Sequence, residues 1–282
     1  MQFHNPNADV FVPDGAAPGP ALERTTHLCV SAHQDDIEIM AYHGIAECFG
    51  LPDRWFSGVV VTNGAGSPRS GIYGHYTDEQ MQRVRRQEQR TAAYVGGYAC
   101  MIQLDYSSSA VKDPHRETVS DDLLAIFQAT KPEVVYLHNL ADKHETHVAT
   151  SLRALAALRR LPSAERPNKV YGCEVWRDLD WLSDDVKQCL PASKYPNIAA
   201  ALVGVFDSQV SGGKRYDLAT AGRRLAHATY YASHATDTET ALNFAMDLTP
   251  LVNDPALPIA PYVTSFIDSF KGDVEKYLSR LI

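Results

Sequence analysis

The sequence predicts an α/β fold, a Rossmann-like three-layer sandwich with a mostly parallel sheet and a helical C-terminal extension. Three observations predict it. Short apolar runs rich in β-branched residues alternate with helical stretches between Thr26 and Trp176, the pattern of βαβ units whose strands are covered on both faces. Polar clusters follow directly on three of the apolar runs, where open α/β sheets bind their ligands. Beyond Trp176 the pattern turns helical, around Asp217–His234 and Val263–Leu281.

The elements follow in order. Residues 1–25 hold four prolines and little periodicity, which reads as an extended arm. Thr26–Ser31 is a strand-type run. Asp36–Phe49 has helical spacing through Ile37, Met40, Ala41, Ile45 and Ala46. Trp55–Thr62 is β-branched and aromatic, and Glu79–Tyr94 is a long arginine-rich helix. Cys100–Leu104 is a strand, Asp121–Thr130 a helix ending before Pro132, and Glu133–His138 a buried strand. Glu145–Leu161 is a helix rich in alanine and leucine, and Val170–Trp176 is one more strand. Right-handed crossovers place the helices on both faces. No repeat or composition shift marks a boundary. Residues 1–282 therefore read as one domain: an arm (1–25), an α/β core (26–176) and a mainly helical extension (177–282).

Composition narrows the function classes. Of 282 residues, 45% are hydrophobic and 21% charged, so global disorder is excluded. A net charge of −8 argues against nucleic acid or a membrane surface as partner. No apolar run reaches the roughly 20 residues of a membrane span, and no signal peptide is visible. Five scattered cysteines without a CxxC read as reduced thiols. Together these features predict a cytoplasmic protein. They leave homo-oligomerisation open.

The first polar cluster is Ala32-His33-Gln34-Asp35-Asp36-Ile37-Glu38, after the first core strand. Adjacent carboxylates repel unless a cation or hydrogen bonds stabilise them. His33 and Asp36, three apart across a strand-to-helix turn, can aim at one point. A histidine with a carboxylate is a partial zinc set, which leaves Asp35 free as a base. The competing reading makes Asp36 a helix cap. The second cluster runs from His138 to His147 and holds three of the chain's 11 histidines. A third ligand from here would complete a catalytic zinc site with an open position, although an isolated HxxH is as often a solvated helix face. The third, Thr62-Asn63-Gly64-Ala65-Gly66-Ser67, is a glycine-rich loop that fits neither a dinucleotide nor a P-loop motif. It reads as a turn beside the site. Arg83, Arg85, Arg86, Glu88 and Arg90 read as a charged helix surface, with Arg85 alone a candidate for the site. Asp207-Ser208-Gln209 and Lys214-Arg215 either line a pocket or cap helices.

Ala32–Glu38 resembles the AHxDDxE signature of the LmbE/PIG-L family of N-acetylglucosaminyl deacetylases. Thr62-Asn63-Gly64 is similar to the family's TNG or TDG, Arg85 and Glu88 to its RxxE stretch, and Asp142–His147 (DKHETH) to its DxHPDH segment. The resemblance spans roughly residues 26–160. It implies His33, Asp36 and His147 as metal ligands for zinc, with iron(II) the alternative. It implies Asp35 as general base, His144 as electrostatic or acid partner, and Arg85 and Asn63 on the substrate side. Gln34 replaces the usual proline. Glu145-Thr146 replaces Pro-Asp, which removes the aspartate that orients His144 in the family. Glu145 and Asp142 are the candidates to substitute for it.

The resemblance implies a zinc-dependent hydrolase of linear amide bonds, one that removes the acetyl group from an amino sugar such as an N-acetylglucosaminyl conjugate. Asp35, beside a metal, is expected to have a depressed pKa suited to base duty. Protonated His144 is expected to stabilise the oxyanion. Two alternatives stand beside this reading. One is another metal-dependent amide or ester hydrolase on the same scaffold. The other is a catalytically silent metal- or sugar-binding homologue, favoured by Thr146 and opposed by an intact Asp35.

Overall fold

The computed structural model describes residues 1–282. Eight strands form one sheet: β1 (Asp9–Phe11), β2 (His27–Ser31), β3 (Phe56–Thr62), β4 (Cys100–Tyr106), β5 (Val134–His138), β6 (Lys169–Cys173), β7 (Gln188–Pro191) and β8 (Leu242–Asp247). Their order is β1-β4-β3-β2-β5-β6-β8-β7. The five central strands, β4-β3-β2-β5-β6, are parallel, and β1, β8 and β7 are antiparallel to their neighbours. The sheet is therefore mixed with a parallel centre, flanked by helices, and the chain ends in the long helix Ile259–Leu281.

Alternation along the central strands builds the core. Leu28 and Val30 of β2, with Val59 and Val61 of β3, join one apolar cluster. Cys29 and Val60 join the cluster on the opposite face. Every residue of β2 and β3 is buried, as expected of parallel strands covered on both sides. The five cysteines are all free thiols. No helix is long and apolar enough to cross a membrane.

Three readings need correction. The arm at residues 1–25 supplies edge strand β1, paired with β4, and the helix Pro18–Glu23, which buries Ala21 and Leu22. The expected helix over Asp36–Phe49 is two helices, Asp36–Met40 and Tyr42–Cys48, broken at Ala41. At that break the buried Arg224 guanidinium donates to the carbonyls of Glu38 and Ile39, at 2.7 and 3.1 Å, so helix-end acceptors are satisfied from outside the helix. Finally, the stretch beyond Trp176 is not helical throughout, because β7 and β8 return to extend the sheet past β6.

β2 lies between β3 and β5. The chain winds outward from β2 through β3 to β4, then resumes on the other side at β5. The β2/β5 boundary is thus the switch point, where a crevice opens at the carboxyl ends of the strands. Both histidine clusters emerge there.

Candidate functional site

The loop after β2 carries His33 and Asp35 and leads into the helix Asp36–Met40, which Asp36 opens, and the loop after β5 leads into the helix Glu145–Arg159 carrying His147. Three donor atoms converge. His33 Nδ1 is 3.1 Å from Asp36 Oδ2 and 3.1 Å from His147 Nε2, and His147 Nε2 is 3.4 Å from Asp36 Oδ2. Ligand atoms arranged tetrahedrally at zinc distances sit about 3.4 Å apart, so this triangle fits one divalent ion. Asp142 Oδ2 lies 3.3 Å from His147 Nδ1. Accepting that N–H leaves Nε2 as the free lone pair, the usual arrangement behind a ligating imidazole.

Two other groupings approach the same point: His33, His144 and His147, and Asp36, His138 and His147, each with atoms within 4.8 Å of one another. His138 is a poor ligand candidate, because its Nε2 accepts the Ala32 backbone N–H at 2.8 Å. Fully buried, it stacks on His147 with ring centroids 4.0 Å apart. The sequence reading placed His138 in the cluster but gave it no role, and no spacing rule could have supplied one.

Asp35 sits beside the triangle on an unusual backbone, with φ 91° and ψ −31°. A non-glycine residue there carries strain of the kind found at functional sites. Its N–H donates to Gln89 Oε1 at 3.2 Å, and Gln89 Nε2 in turn donates to Glu38 Oε1 at 2.8 Å. Arg85 lies 3.3 Å from Asp35 Oδ2 and also binds Ser67 Oγ and the Gln34 carbonyl. Arg85 and Gln89, four apart, point inward from the helix Asp78–Val95, and with Glu88 they are buried. The reading of this helix as a charged surface therefore fails for one face: Arg85 holds Asp35 and the glycine loop together.

Asn63 departs from the expectation. Its Oδ1 accepts the Ala65 N–H at 3.2 Å, closing an Asx turn, and its side chain is not part of the cavity wall. Residues 64–68 do line the cavity. Gly64 (φ 73°) cannot be replaced without strain, since a Cβ there would meet Gln34 Oε1 at 2.5 Å. Gln34, standing where the family has proline, donates to the Thr62 carbonyl and to Gln103 Oε1, at 3.2 and 3.3 Å.

His144 has no carboxylate partner. The Glu145 side chain is 84% exposed and faces Lys112. Asp142 takes the His144 backbone N–H at 3.0 Å and otherwise serves His147 and Trp176. His144 Nδ1 is buried without a hydrogen bond. Neither proposed substitute therefore orients the ring, which packs against His147, His33 and Trp176 with centroids at 4.5, 5.0 and 6.2 Å.

Burial dominates the electrostatics. It pushes His33 down to about 4, against the pull of Asp36. Burial and then the His147 charge hold His144 below the usual imidazole range. Burial alone would raise Asp36, but His147, His138 and His33 outweigh it and hold the carboxyl low. Asp35 moves the other way: burial raises it well above the carboxylate range despite Arg85. In the chain alone, desolvation at Asp35 exceeds the help from Arg85 and His147; the depressed carboxylate expected beside a metal belongs to the loaded site.

A cavity of about 580 Å³ opens over this floor. His33, Asp35, Asp36 and His144 form its base, and Val175, Trp176, Gln209, Lys214, Tyr216 and Arg223 supply one wall. The C-terminal segment is pinned in place. Glu88 accepts the Ser208 N–H and hydroxyl at 2.7 and 2.6 Å, and Tyr73 donates to Asp207 at 2.6 Å. Of the residues left undecided in the sequence, Gln209 and Lys214 line the cavity, while Arg215 pairs outside it with Asp217.

The parallel-centred sheet, with a histidine–aspartate cluster at its switch point, is similar in fold to LmbE-like deacetylases. Residues 28–158 match the family model described as PIG-L, GlcNAc-PI de-N-acetylase. No curated protein matches the chain by sequence. Among solved structures it is similar to the N,N'-diacetylchitobiose deacetylase of Pyrococcus horikoshii, with 14% identity and a TM-score of 0.59 over 78% of this chain and 83% of that one. It is also similar to the A40926 pseudoaglycone deacetylase Dbv21, with 15% identity and a TM-score of 0.57 over 79% and 97% of the two chains. A third neighbour is GalB, the 4-carboxy-2-hydroxymuconate hydratase of Pseudomonas putida KT2440, with 18% identity and a TM-score of 0.56 over 79% and 95%. At these identities the likeness is one of fold, and the fold hosts more than one chemistry.

Proposed function

We propose that this protein is a divalent-metal-dependent N-deacetylase that hydrolyses the acetamide of an amino-sugar conjugate to acetate and a free amine. The observation that carries the reading is the donor triangle of His33, Asp36 and His147 at a cavity floor, with the buried carboxyl of Asp35 beside it. The family match and the deacetylases among its structural neighbours support the reaction type. A teicoplanin deacetylase neighbour in a zinc-inhibited form supports a metal-responsive site in this fold.

His33, Asp36 and His147 would hold the ion, zinc or iron(II). Once bound, it supplies a Lewis acid able to lower the pKa of a water to about 7. The remaining steps belong to the chain. Asp35 accepts the proton of the attacking water at its carboxylate, and Arg85 keeps that carboxylate aimed at the floor. His144 donates an N–H toward the carbonyl oxygen as negative charge develops there. The C–N bond breaks as Asp35 returns that proton to the leaving nitrogen, directly or by way of His144. Asp142 fixes the His147 ring throughout.

The test is acetate release from a panel of N-acetylated amino sugars by metal-loaded protein, with Asp35→Asn alongside. Stoichiometric acetate and amine, lost in the variant, is the expected result. A metal-loaded protein that releases acetate from none of them would overturn the reading.

A further inference from the structure

The long C-terminal helix Ile259–Leu281 leaves the body of the protein part-way along its length. Tyr262, Val263 and Phe266 pack into the core, and Ser183 Oγ donates to Asp273 at 2.7 Å. Every residue from Ile267 onward is exposed. Apolar residues nevertheless recur at Val263, Ile267, Phe270, Val274, Tyr277 and Leu281, in steps of 4, 3, 4, 3 and 4. That is the heptad spacing of a seam that meets another helix. Its outer half is bare, with Tyr277 56% and Leu281 77% exposed. Its inner half forms one side of an apolar cleft of about 870 Å³, where Ile267 and Phe270 face Leu140, Val148, Leu152 and Trp181. Contiguous exposed apolar surface of this kind marks an interaction site.

The charges along the helix favour one occupant. Asp268, Asp273 and Glu275 balance Lys271, Lys276 and Arg280, whereas a helix that lies on a membrane carries an excess of Lys and Arg. Against an antiparallel copy of itself the seam is self-complementary. Phe270 meets the partner's Leu281 and Val274 meets the partner's Tyr277, and the two-fold axis repeats both layers. Each layer then sets an aromatic ring against an aliphatic side chain, the large-against-small alternation that fills a core. A parallel pair would instead stack Phe270 on Phe270 and Tyr277 on Tyr277. The antiparallel register also brings Asp273 beside the partner's Arg280 on one flank, twice. Within its own chain Arg280 has no acidic partner and lies over the Tyr277 ring, 5.3 Å from the centroid. The partner's Leu281 reaches the cleft beside Phe270. The exposed apolar residues from Ile267 to Ile282 offer on the order of 700 Å², close to the roughly 800 Å² per partner of a stable complex. We infer that the protein dimerises through this helix, antiparallel to its copy, with the helix end seated in the partner's cleft. The inference does not depend on the reaction.

The experiment is sedimentation velocity of the full chain at about 1–100 μM, the range in which an interface of this size associates. The parent protein is expected to sediment as a dimer. Tyr277→Glu and Leu281→Glu, each checked for a native circular-dichroism spectrum, are expected to sediment as monomers. Asp273→Arg and Arg280→Asp each turn both cross-pairs repulsive and are expected to raise the dissociation constant by about tenfold. The double variant Asp273→Arg with Arg280→Asp restores opposite charges and is expected to recover the parent value. A double variant no tighter than either single one would overturn the antiparallel pairing, since a parallel pair never brings these residues together. A dimer that survives both Glu substitutions would overturn the inference, because another surface would then hold it. So would a parent protein that stays monomeric throughout. Flotation of that monomer with phosphatidylglycerol vesicles would then give the seam to lipid instead of a second copy.

Discussion

His33 Nδ1 lies 3.1 Å from His147 Nε2 although 114 positions separate the two residues. The pairing of β2 with β5 sets this distance: His27 is opposite Val134 and Cys29 opposite Tyr136, so the two loops leave the sheet side by side. Asp36 joins them through its own strand-to-helix turn, where Oδ2 also accepts the His33 backbone N–H at 2.8 Å. The site is therefore a product of sheet register, and whatever disturbs the β2/β5 crevice disturbs the donors.

Asp35→Asn removes the proposed base while leaving the three donor atoms in place. kcat is expected to fall by about 10²–10⁴-fold, with bound metal unchanged by elemental analysis. Full activity in the variant would remove Asp35 from the mechanism.

Asp142→Ala deletes the carboxylate that fixes the His147 ring. Metal affinity, measured by competition with a chromogenic chelator, is expected to drop by about 10–100-fold. An unaltered affinity in a folded variant would show that His147 needs no such support.

His138→Phe keeps a ring against His147 but takes away the acceptor of the Ala32 N–H. A buried N–H left without a partner costs about 1–3 kcal/mol, which should appear as a lower urea midpoint with an unchanged m-value. His138→Gln, which can still accept, should recover part of the loss. Equal stability of both variants with the parent protein would exclude this role.

Stability should also depend on pH through a histidine at the far end of the sheet. Burial, with His43 and Arg54 adding to it, pushes His27 down to about 4, against about 6.5 in the unfolded chain. Between those values the unfolded state binds the extra proton, so stability is full above pH 6.5 and is lost as pH falls toward 4. Urea midpoints across that range should fall more steeply for the parent than for His27→Gln. Parallel profiles would show that other groups carry the acid sensitivity.

Much of this architecture was legible because its central strands are parallel. Buried on both faces, β2, β3 and β5 read as unbroken apolar runs, and the polar clusters after them marked the crevice. The edges were not legible. β1 has three residues and β7 four, too short for a period to show, and β8 carries Asn243 within an otherwise apolar run. The break at Ala41 depends on Arg224, which arrives from a helix some 180 residues later in the chain. At the site, the AHxDDxE-like motif and the HxxH spacing pointed to the residues that converge. The missing carboxylate partner of His144 and the places of Trp176 and Arg223 on the cavity wall depend on tertiary neighbours, and local sequence carries no trace of them.

The central claim is that two distant motifs hold one metal ion, and metal content tests it most directly. Purified protein and His147→Ala are analysed together for zinc and iron, before and after loading. About one ion per chain in the parent protein, with marked loss in the variant, is the predicted result. No ion in the parent after loading, or equal occupancy in both proteins, would contradict the account.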